Sequence, residues 1–382
     1  MLRSGSIGRR AFPYAAITAV SLLATDLYLP ALPAVGRALG ASIEATQASL
    51  TAFLLGLAIS QLPWGRACDR FGPRPSLVVG LVTFVAASTL AAFARNMPEL
   101  VAMRAPQGIG AGATTVAVPV MIHRDFEAGE AVVALSWVGI AESLAPGFGP
   151  VLGAALLAIA DHRASFLVVA VLGAMLTVVL LRRPQGMRPT DRAPSSGSLD
   201  LRFARLVTSH ALALGALIAF VGSAPQLLEI HLSHGANRFA AMQLAGVAGF
   251  VLAASSNGPR LERRGPYSAL VLGAGLQILG GLAIAVSDFL PVGRYTGVVA
   301  GWVAFCAGMG MRGPVVFAAA LDVPPSVVGT ASAVIMLACQ AAAAIGTQSL
   351  APTLTIGIWP TGLAVAAVAL VALGIAPRLA RI

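Results

Sequence analysis

The chain has 382 residues, of which 57% are hydrophobic and only 10% are charged. Its mean hydropathy is +0.85, whereas soluble domains carry about 25% charged residues, so the composition excludes a soluble globular protein. The formal net charge is +10, yet every basic residue is an arginine and most arginines fall in short loops between apolar stretches. This distribution excludes a nucleic-acid-binding surface, which needs basic residues clustered on one folded face.

Twelve apolar stretches follow one another along the chain, each close to the length of about 20 residues that crosses a bilayer core. The first stretch follows a basic N-terminus like a signal peptide, but it is long, contains Asp26 and lacks a small-residue cleavage site. We therefore expect it to be retained as a helix. The predicted spans, numbered 1 to 12, are 12–34, 46–64, 75–94, 98–121, 131–158, 164–181, 206–228, 239–257, 267–287, 293–317, 326–348 and 353–376.

The arginines divide unevenly between the two sides of these spans. Eighteen fall on the side of the N-terminus and five on the opposite side, with Arg104 and Arg312 inside spans. The positive-inside rule then places both termini in the cytoplasm. A segment rich in Pro, Ser, Gly and Arg separates spans 6 and 7 and predicts a flexible cytoplasmic linker. We expect an N-terminal six-helix bundle at 1–181, a linker at 182–205 and a C-terminal six-helix bundle at 206–382.

A nine-residue loop pattern occurs twice, 193 residues apart, each time between two spans. The first copy, residues 65–73, has the pattern G-x-x-x-D-R-x-G-P, and the second copy, residues 258–266, has the pattern G-x-x-x-E-R-x-G-P. Two similar membrane halves are typical of secondary transporters, which place their binding site where the halves meet.

Four motifs resemble those of a known family. The first loop copy resembles the motif between spans 2 and 3 of the major facilitator superfamily, with matches at Gly65, Asp69, Arg70, Gly72 and Arg74. Residues 104–111 are similar to the R-x-x-Q-G-x-G-A motif of span 4. Residues 145–153 are similar to the G-P-x-x-G motif of drug antiporters in span 5. Residues 25–33, TDLYLPALP, resemble the span 1 signature of the Bcr/CflA subfamily of drug-resistance exporters.

This resemblance implies an all-α membrane protein with the major facilitator fold, twelve helices in two pseudo-symmetric bundles. It also implies a proton-coupled exporter of small amphipathic drugs, phenicol-like or bicyclomycin-like, in the bacterial inner membrane. The implied partners are a small-molecule substrate, protons and the lipid bilayer, with no cofactor, metal or nucleic acid, and we expect a monomer that is not an enzyme. Two alternatives stay open, an exporter of an endogenous metabolite or amino-acid derivative and a membrane-embedded enzyme.

Asp26 and Arg104 are the first candidates for proton coupling. They lie about 8 and 6 residues inward from the outer ends of spans 1 and 4, which is ~12 and ~9 Å. A carboxylate in hydrocarbon costs about 2.5–3.5 kcal/mol and needs a partner, a proton or water. If its distance from Arg104 changes with conformation, Asp26 can take up and release a proton; a permanent ion pair is the alternative. Glu142, midway along span 5, is a further candidate for proton or cationic-drug binding, with a hydrogen bond to Ser136 or Ser143 as its alternative.

The resemblance also assigns three other roles. The loop motif is expected to act as a cytoplasmic gate, in which Asp69, Arg70 and Arg74 pair with the backbone of span 11 and with neighbouring charges. The prolines and glycines of span 5 are expected to form a hinge, with ordinary small-residue packing between helices as the alternative. The predicted cavity residues are Tyr28, Gln107, Glu142, Pro225 and Gln226; the predicted hinge residues are Pro146, Gly149, Pro150 and Gly153.

Two further groups have weaker signals. Arg312 in span 10 has no acidic partner at its depth, so we expect its long side chain to extend to the cytoplasmic surface, with a cavity-facing position as the alternative. Glu229, His231 and His234 form the pattern E-x-H-x-x-H after span 7. Their spacing does not place all three on one helical face, which disfavours a metal site.

Overall fold

A computed structural model describes residues 2–182, 200–257, 264–324 and 328–379. Within these ranges the chain forms thirteen α-helices and two short 3₁₀ turns, and no strand occurs in them. The helices are α1 (Leu2–Asp26), α2 (Leu32–Ala38), α3 (Ile43–Phe71), α4 (Pro73–Ala92), α5 (Met97–Asp125), α6 (Ala128–Ile159), α7 (Arg163–Arg182), α8 (Leu201–Leu232), α9 (Ala236–Ser255), α10 (Pro266–Ser287), α11 (Arg294–Ala320), α12 (Val328–Leu350) and α13 (Trp359–Ile375).

These helices account for the twelve predicted spans. Span 1 comprises α1 and α2, and spans 2 to 12 are α3 to α13 in order. Ten spans of the described chain are long and apolar enough to cross a membrane. Of the other two, α13 is apolar but only 17 residues long. Helix α5 has 29 residues and carries Glu99, Arg104 and Gln107 among its apolar side chains. The prediction of an all-helical, multi-pass membrane protein is therefore confirmed.

Span 1 is not the single helix at 12–34 that the sequence predicts. Helix α1 already begins at Leu2 and ends at Asp26, and a 3₁₀ turn at Leu29–Ala31 leads into α2. The N–H of Tyr28 bonds to the carbonyl of Thr25 at 3.0 Å instead of continuing the α-helical pattern to Ala24. Pro30 follows, and proline has no N–H with which to extend a helix. The break leaves the Ala24 carbonyl available to a side chain.

The two loop copies end in the same local structure. Gly72 and Gly265 have φ values of +92° and +76°, a region that a residue with a side chain rarely adopts. Each is the N-cap of the next helix, α4 or α10, and Pro73 or Pro266 occupies its first position. Proline suits that position because its missing N–H would have no helical partner there. Residues 258–263 of the second copy lie outside the described residues.

Contacts group the chain into two compact units, residues 1–41 with 48–193, and residues 42–47 with 194–382. The predicted linker starts one residue too early, because Arg182 still belongs to α7. It also ends too late, because Asp200 caps α8 by accepting a hydrogen bond from the N–H of Phe203 at 2.8 Å, and residues 201–205 are helical. The remainder of that prediction, residues 183–199, lies outside the described residues.

Each unit contains two neighbouring helices that pack through glycine. In the first unit, a β-carbon at Gly110 of α5 would lie 2.6 Å from the carbonyl oxygen of Gly80 on α4. In the second unit, a β-carbon at Gly301 of α11 would lie 2.6 Å from the carbonyl oxygen of Gly280 on α10. Close approach of this kind lets backbones pack directly, as is typical of helices in membranes.

Candidate functional site

Arg104 of α5 is buried in the first unit with no exposed surface. Its guanidinium donates to three oxygens, the carbonyls of Ala24 at 3.2 Å and Ser49 at 3.3 Å and the side-chain oxygen of Gln107 at 2.5 Å. The Ala24 carbonyl is the one released by the break in span 1. Three helices, α1, α3 and α5, are therefore held around one cation.

Three aromatic rings face the same guanidinium. Its central carbon lies 4.6 Å from the ring centre of Tyr28, 4.4 Å from that of Phe53 and 5.9 Å from that of Phe166. The hydroxyls of Tyr28 and Ser49 are hydrogen-bonded at 2.5 Å, which fixes the Tyr28 ring. A cation over an aromatic face gains about 2 kcal/mol or more when desolvated. The rings and carbonyls thus stabilise the Arg104 charge without a carboxylate.

Asp26 lies at the C-terminal end of α1, two residues beyond the Ala24 carbonyl that Arg104 contacts, and only 9% of its surface is exposed. No ion pair joins Asp26 to Arg104 in the described parts of the chain. The permanent ion pair that was the alternative interpretation is therefore not formed in this conformation. The prediction that both residues lie in one region of the first half agrees with the geometry.

The predicted hinge glycines of α6 pack against the same turn of α1. A β-carbon at Gly149 would overlap the β-carbon of Asp26. A β-carbon at Gly153 would lie 2.5 Å from the carbonyl oxygen of Leu27 and 2.8 Å from the ring of Pro30. Both positions exclude any side chain, because α6 lies directly on the segment that carries Asp26.

The two prolines of the predicted hinge do not interrupt α6. Pro146 and Pro150 lie inside a helix that runs unbroken from Ala128 to Ile159. Each removes one backbone donor from that helix. The helix is thus locally less well hydrogen-bonded where its glycines contact α1, and the hinge role stays a prediction.

Glu142 lies near the middle of α6, and its side chain is exposed. Val138 and Ala145, about one turn before and one turn after it on the same helical face, are only 6% and 5% exposed. No ion pair to Glu142 is found among the residues that the structure describes. An accessible carboxylate halfway along an apolar span suits contact with a proton or a cationic group.

Tyr28 and Gln107, two predicted cavity residues, are buried in this conformation. The side-chain amide of Gln107 donates to the hydroxyl of Ser88 on α4 at 2.8 Å, while its oxygen accepts from Arg104. Gln107 thus orients Arg104. Sequence reasoning missed Ser49, Ser88 and Phe53, because small polar or apolar residues inside a span carry no signal of their own.

Pro225 and Gln226, the predicted cavity residues of α8, are also buried. Within the second unit, the side-chain oxygen of Gln226 accepts a hydrogen bond of 2.8 Å from Gln47, which also donates to the carbonyl of Gly222 at 2.9 Å. Gln47 therefore contacts α8 on both sides of Pro225.

The expectation that Arg312 reaches the cytoplasmic surface is wrong. Its side chain in α11 has no exposed surface, and it donates to the hydroxyl of Ser209 at 2.7 Å and to the side-chain oxygen of Gln277 at 3.2 Å. Oxygen acceptors on α8 and α10 bind the two terminal nitrogens of the guanidinium inside the second unit, while its Nε is buried without a hydrogen-bond partner.

The loop-motif residues have partners within the first unit. Arg74 donates to the carbonyls of Leu180 and Leu181 at the C-terminal end of α7, both at 3.0 Å. Arg70 lies over the ring of Phe71 at 5.2 Å. Asp69 is exposed at the end of α3. In this conformation Arg74 stabilises a helix terminus, and the gate role of the motif stays a prediction.

His231 and His234 have partners other than a metal. His231 Nε2 is hydrogen-bonded to the carbonyl of Leu354 at 2.7 Å, and His234 packs edge-on against Tyr295 at 4.9 Å between ring centres. No group of three metal-ligating side chains occurs in the described residues.

Asp288, which sequence reasoning missed, lies directly after α10, beside these histidines, and its contacts hold that loop of the second unit in place. Its carboxylate accepts from Arg294 and from the backbone N–H groups of Ile358 at 2.8 Å and Trp359 at 3.1 Å. Burial alone would raise the pKa of Asp288, but the N–H of Trp359, the Arg294 guanidinium and the N–H of Ile358 together hold this pKa below its usual value.

In the described residues, helices that account for twelve spans, with buried arginines and a buried carboxylate inside them, are typical of a multi-pass membrane transporter. Residues 14–347 match the family model described as Major Facilitator Superfamily. The chain belongs to this superfamily, whose members are transporters and not enzymes.

Curated relatives come from several bacteria. The chain is 28% identical over 323 residues to "Multidrug resistance protein MdtL" of Klebsiella pneumoniae (strain 342), covering 82% of this chain and 81% of the relative. It is 30% identical over 199 residues to "Multidrug resistance protein D" of Escherichia coli (strain K12), covering 52% and 48%.

Solved structures share the fold. A bacterial homolog of the human lysosomal transporter Spinster, in an inward-facing and occupied conformation, has a TM-score of 0.76 at 14% identity, with 97% of this chain and 96% of that chain covered. A D-xylose-proton symporter has a TM-score of 0.75 at 15% identity, with 97% and 98% covered.

Proposed function

We propose that this chain is a proton-coupled exporter of small amphipathic drugs, of the Bcr/CflA type. It works by alternating access in the bacterial inner membrane, as a monomer with both termini in the cytoplasm. The span 1 signature at residues 25–33 supports the subfamily, and a relative named as a multidrug resistance protein matches 82% of the chain. The uneven arginine distribution supports the orientation.

One observation carries the proton coupling. Asp26 is a buried carboxylate beside the Arg104 site, yet the Arg104 guanidinium donates to three oxygens and lies against three aromatic rings, with no carboxylate among these partners. Protonation of Asp26 therefore leaves the surroundings of Arg104 intact. A carboxylate that can gain or lose its charge without dismantling its neighbours is suited to a cycle in which every step must be reversible.

The cycle follows from the position of Asp26. A proton taken up by Asp26 from the outer side removes a charge from the end of α1 and favours its burial against Gly149 of α6. Release of that proton to the cytoplasm restores the charge, which favours a conformation in which water reaches α1. Proton entry is linked to drug export because each protonation state of Asp26 favours a different one of the two conformations.

The other predicted residues contribute to binding and gating in this proposal. Glu142 presents an accessible carboxylate to a cationic drug or a second proton, and Tyr28, Gln107, Pro225 and Gln226 shape the cavity. The hinge residues of α6 accommodate its movement against α1. The loop motif, Asp69 above all, biases the cytoplasmic side towards closure, since contacts worth about 0–1 kcal/mol are enough to shift two states that differ by a few kcal/mol.

Drug susceptibility of a bacterial host that lacks its own exporters tests the proposal. Expression of the chain should raise the inhibitory concentrations of chloramphenicol, bicyclomycin or ethidium, and a protonophore should abolish the protection. The matched control is the same host with the Asp26→Asn variant at equal membrane abundance. Protection that survives the protonophore would contradict proton coupling. Unchanged susceptibility to all three compounds would contradict drug export and favour the metabolite exporter.

A further inference from the structure

In each unit a side chain near the C-terminal end of the second span donates a hydrogen bond to the backbone of the fourth span. Trp64 and Asn257 immediately precede the first glycine of the two loop copies and are 193 residues apart, like the copies themselves. The indole N–H of Trp64 donates to the carbonyl of Ile109 on α5 at 2.7 Å. The side-chain amide of Asn257 donates to the carbonyls of Gly310 and Met311 on α11 at 3.2 and 3.1 Å.

The two side chains differ in chemistry, but each donates from an N–H group to a backbone carbonyl of the fourth span. On α11, Pro314 has no N–H, so the Gly310 carbonyl lacks its helical donor and Asn257 supplies one. The side-chain oxygen of Asn257 is buried without a partner. A leucine there would avoid the cost of burying an unpaired polar atom. The NH₂ group of the Asn257 side chain, rather than its oxygen, is therefore the part that joins the two helices.

A second contact joins the same pairs of spans. A β-carbon at Gly108 of α5 would overlap the carbonyl oxygen of Phe53 on α3, and one at Gly310 of α11 would overlap that of Phe250 on α9. Glycine contacts of this kind recur along both pairs of helices, so each pair is packed over several turns. The hydrogen bond adds a directional contact to that packing, and we expect the second and fourth spans to move together.

Each of these bonds lies close to the buried arginine of its fourth span. Ile109 is five residues, or ~7.5 Å along the axis, from Arg104, and Met311 directly precedes Arg312. Any displacement of the arginine-bearing helix therefore acts on the carbonyl that Trp64 or Asn257 holds.

We propose that Trp64 and Asn257 are paired positioning residues, which fix the second span to the fourth in each unit and carry movements of the fourth span to the adjoining loop motif. The role of those movements in transport rests on the function proposed above. The coupling itself is a property of each unit and can be measured without transport.

Distances between spin labels within one unit measure the coupling. The purified full-length chain, with Cys68, Cys306 and Cys339 replaced by alanine, is reconstituted in lipid nanodiscs. One label pair, at Phe71→Cys and His123→Cys, reports on the cytoplasmic ends of α3 and α5. Another, at Ser255→Cys and Ala318→Cys, reports on the ends of α9 and α11. All four positions are exposed.

The variants are chosen to remove only the donor. Trp64→Phe should broaden or shift the distance in the first pair and leave the second unchanged, and Asn257→Leu should do the reverse. Asn257→Gln keeps an amide donor and should restore the second distance. The matched controls are Trp137→Phe and Asn237→Leu, because Trp137 is 43% exposed and Asn237 is also exposed.

Transport gives an independent measurement. The initial rate of ethidium efflux should fall roughly two- to twelvefold in Trp64→Phe and in Asn257→Leu, the range expected for losing one net hydrogen bond in one conformation. Asn257→Gln and both controls should stay near the wild-type rate. Wild-type distances in both donor variants would overturn the proposal, and so would equal changes in the controls. If the distances change as expected in a protein that moves no probe, the coupling stands and the proposed function fails.

Discussion

Gly149 of α6 lies against the β-carbon of Asp26 at the end of α1, too close for any side chain between them. Two features that the sequence presents separately, the proline- and glycine-rich part of span 5 and the carboxylate of span 1, therefore belong to one packed contact. In the proposed cycle, a movement that separates α6 from α1 would bring water to Asp26, and a movement that closes the contact would exclude that water.

Gly149→Ala should disturb this contact. The added methyl group must displace α1 or α6, and overpacking of this kind costs typically 1–3 kcal/mol. We expect a lower midpoint of thermal unfolding in detergent and strongly reduced drug efflux. Gly139→Ala is the matched control on the same helix, because a β-carbon there would meet nothing within 4 Å. A Gly149→Ala protein as stable and active as Gly139→Ala would show that the contact is not tight.

Asp26→Asn should uncouple transport from protons. The substitution preserves the size of the side chain and removes the titrating group, so uphill, proton-driven efflux should be lost while binding and downhill exchange of an uncharged substrate survive. Substrate-induced proton release from purified protein, measured across pH, checks this directly. Release of the same size from the Asn variant would remove Asp26 from the mechanism and make Glu142 the next candidate.

Arg104→Lys should destabilise the first unit even though the charge is kept. Lysine lacks the planar guanidinium that donates to Ala24, Ser49 and Gln107 together and lies against three aromatic rings. Loss of one hydrogen bond to a charged group costs about 1.5–3 kcal/mol, which should appear as a lower unfolding midpoint. Arg163→Lys, at a side chain that is 47% exposed, is the control and should change little.

Asp288 should make the stability of the second unit depend on pH. Its pKa in the folded protein is lower than the ordinary value of 3.8, so its contribution to stability is present above pH 3.8 and is lost as the pH falls through the folded pKa. Asp288→Asn should therefore be less stable than wild type at neutral pH. The difference between the two proteins should shrink below about pH 4.

The control for this measurement is Asp322→Asn. The Asp322 side chain is 76% exposed and lies 3.7 Å from Arg202, a surface pair of the kind that contributes little. The unfolding midpoint of Asp322→Asn should match that of the wild-type protein at every pH. A constant difference between Asp288→Asn and wild type down to pH 3 would show that the carboxylate is not stabilised in its charged form.

The orientation can be checked with single cysteines in a background without the native three. In intact cells an impermeant thiol reagent should label Gly235→Cys, at the start of α9, and should not label Ser195→Cys in the predicted cytoplasmic linker. The substitution at Gly235 fits, because a β-carbon there meets nothing within 4 Å. The opposite labelling pattern would reverse the assigned topology.

The sequence predicted the spans well because hydrophobic length is imposed by the bilayer and is visible residue by residue. Its repeated nine-residue pattern predicted two similar loops between spans, and Gly72 and Gly265 adopt the same unusual backbone conformation. Span 1 was less predictable. Its hydrophobicity continues through Pro30, so hydropathy alone shows no sign of the break after Asp26.

The partners of buried charges were the hardest to predict. Asp26 and Arg104 lie at similar depths in their spans, so the sequence suggested Asp26 as the partner of Arg104. In the structure the contacts of Arg104 are instead backbone carbonyls, Gln107 and aromatic rings. Backbone carbonyls carry no sequence signal, and a helix break that releases one depends on local hydrogen bonding. The same limit applies to Arg312, whose acceptors lie 103 and 35 residues away in sequence.

The way in which Arg104 is stabilised has an electrical consequence. An arginine stays protonated in proteins, and the carbonyls and rings around Arg104 bring no negative charge. The buried Asp26–Arg104 region therefore has no net charge when Asp26 is ionised and carries one positive charge when Asp26 is protonated. One elementary charge that crosses the whole membrane gains about 2.3 kcal/mol per 100 mV. In the proposed cycle the transmembrane voltage thus acts on the protein itself, and export of an uncharged drug becomes electrogenic.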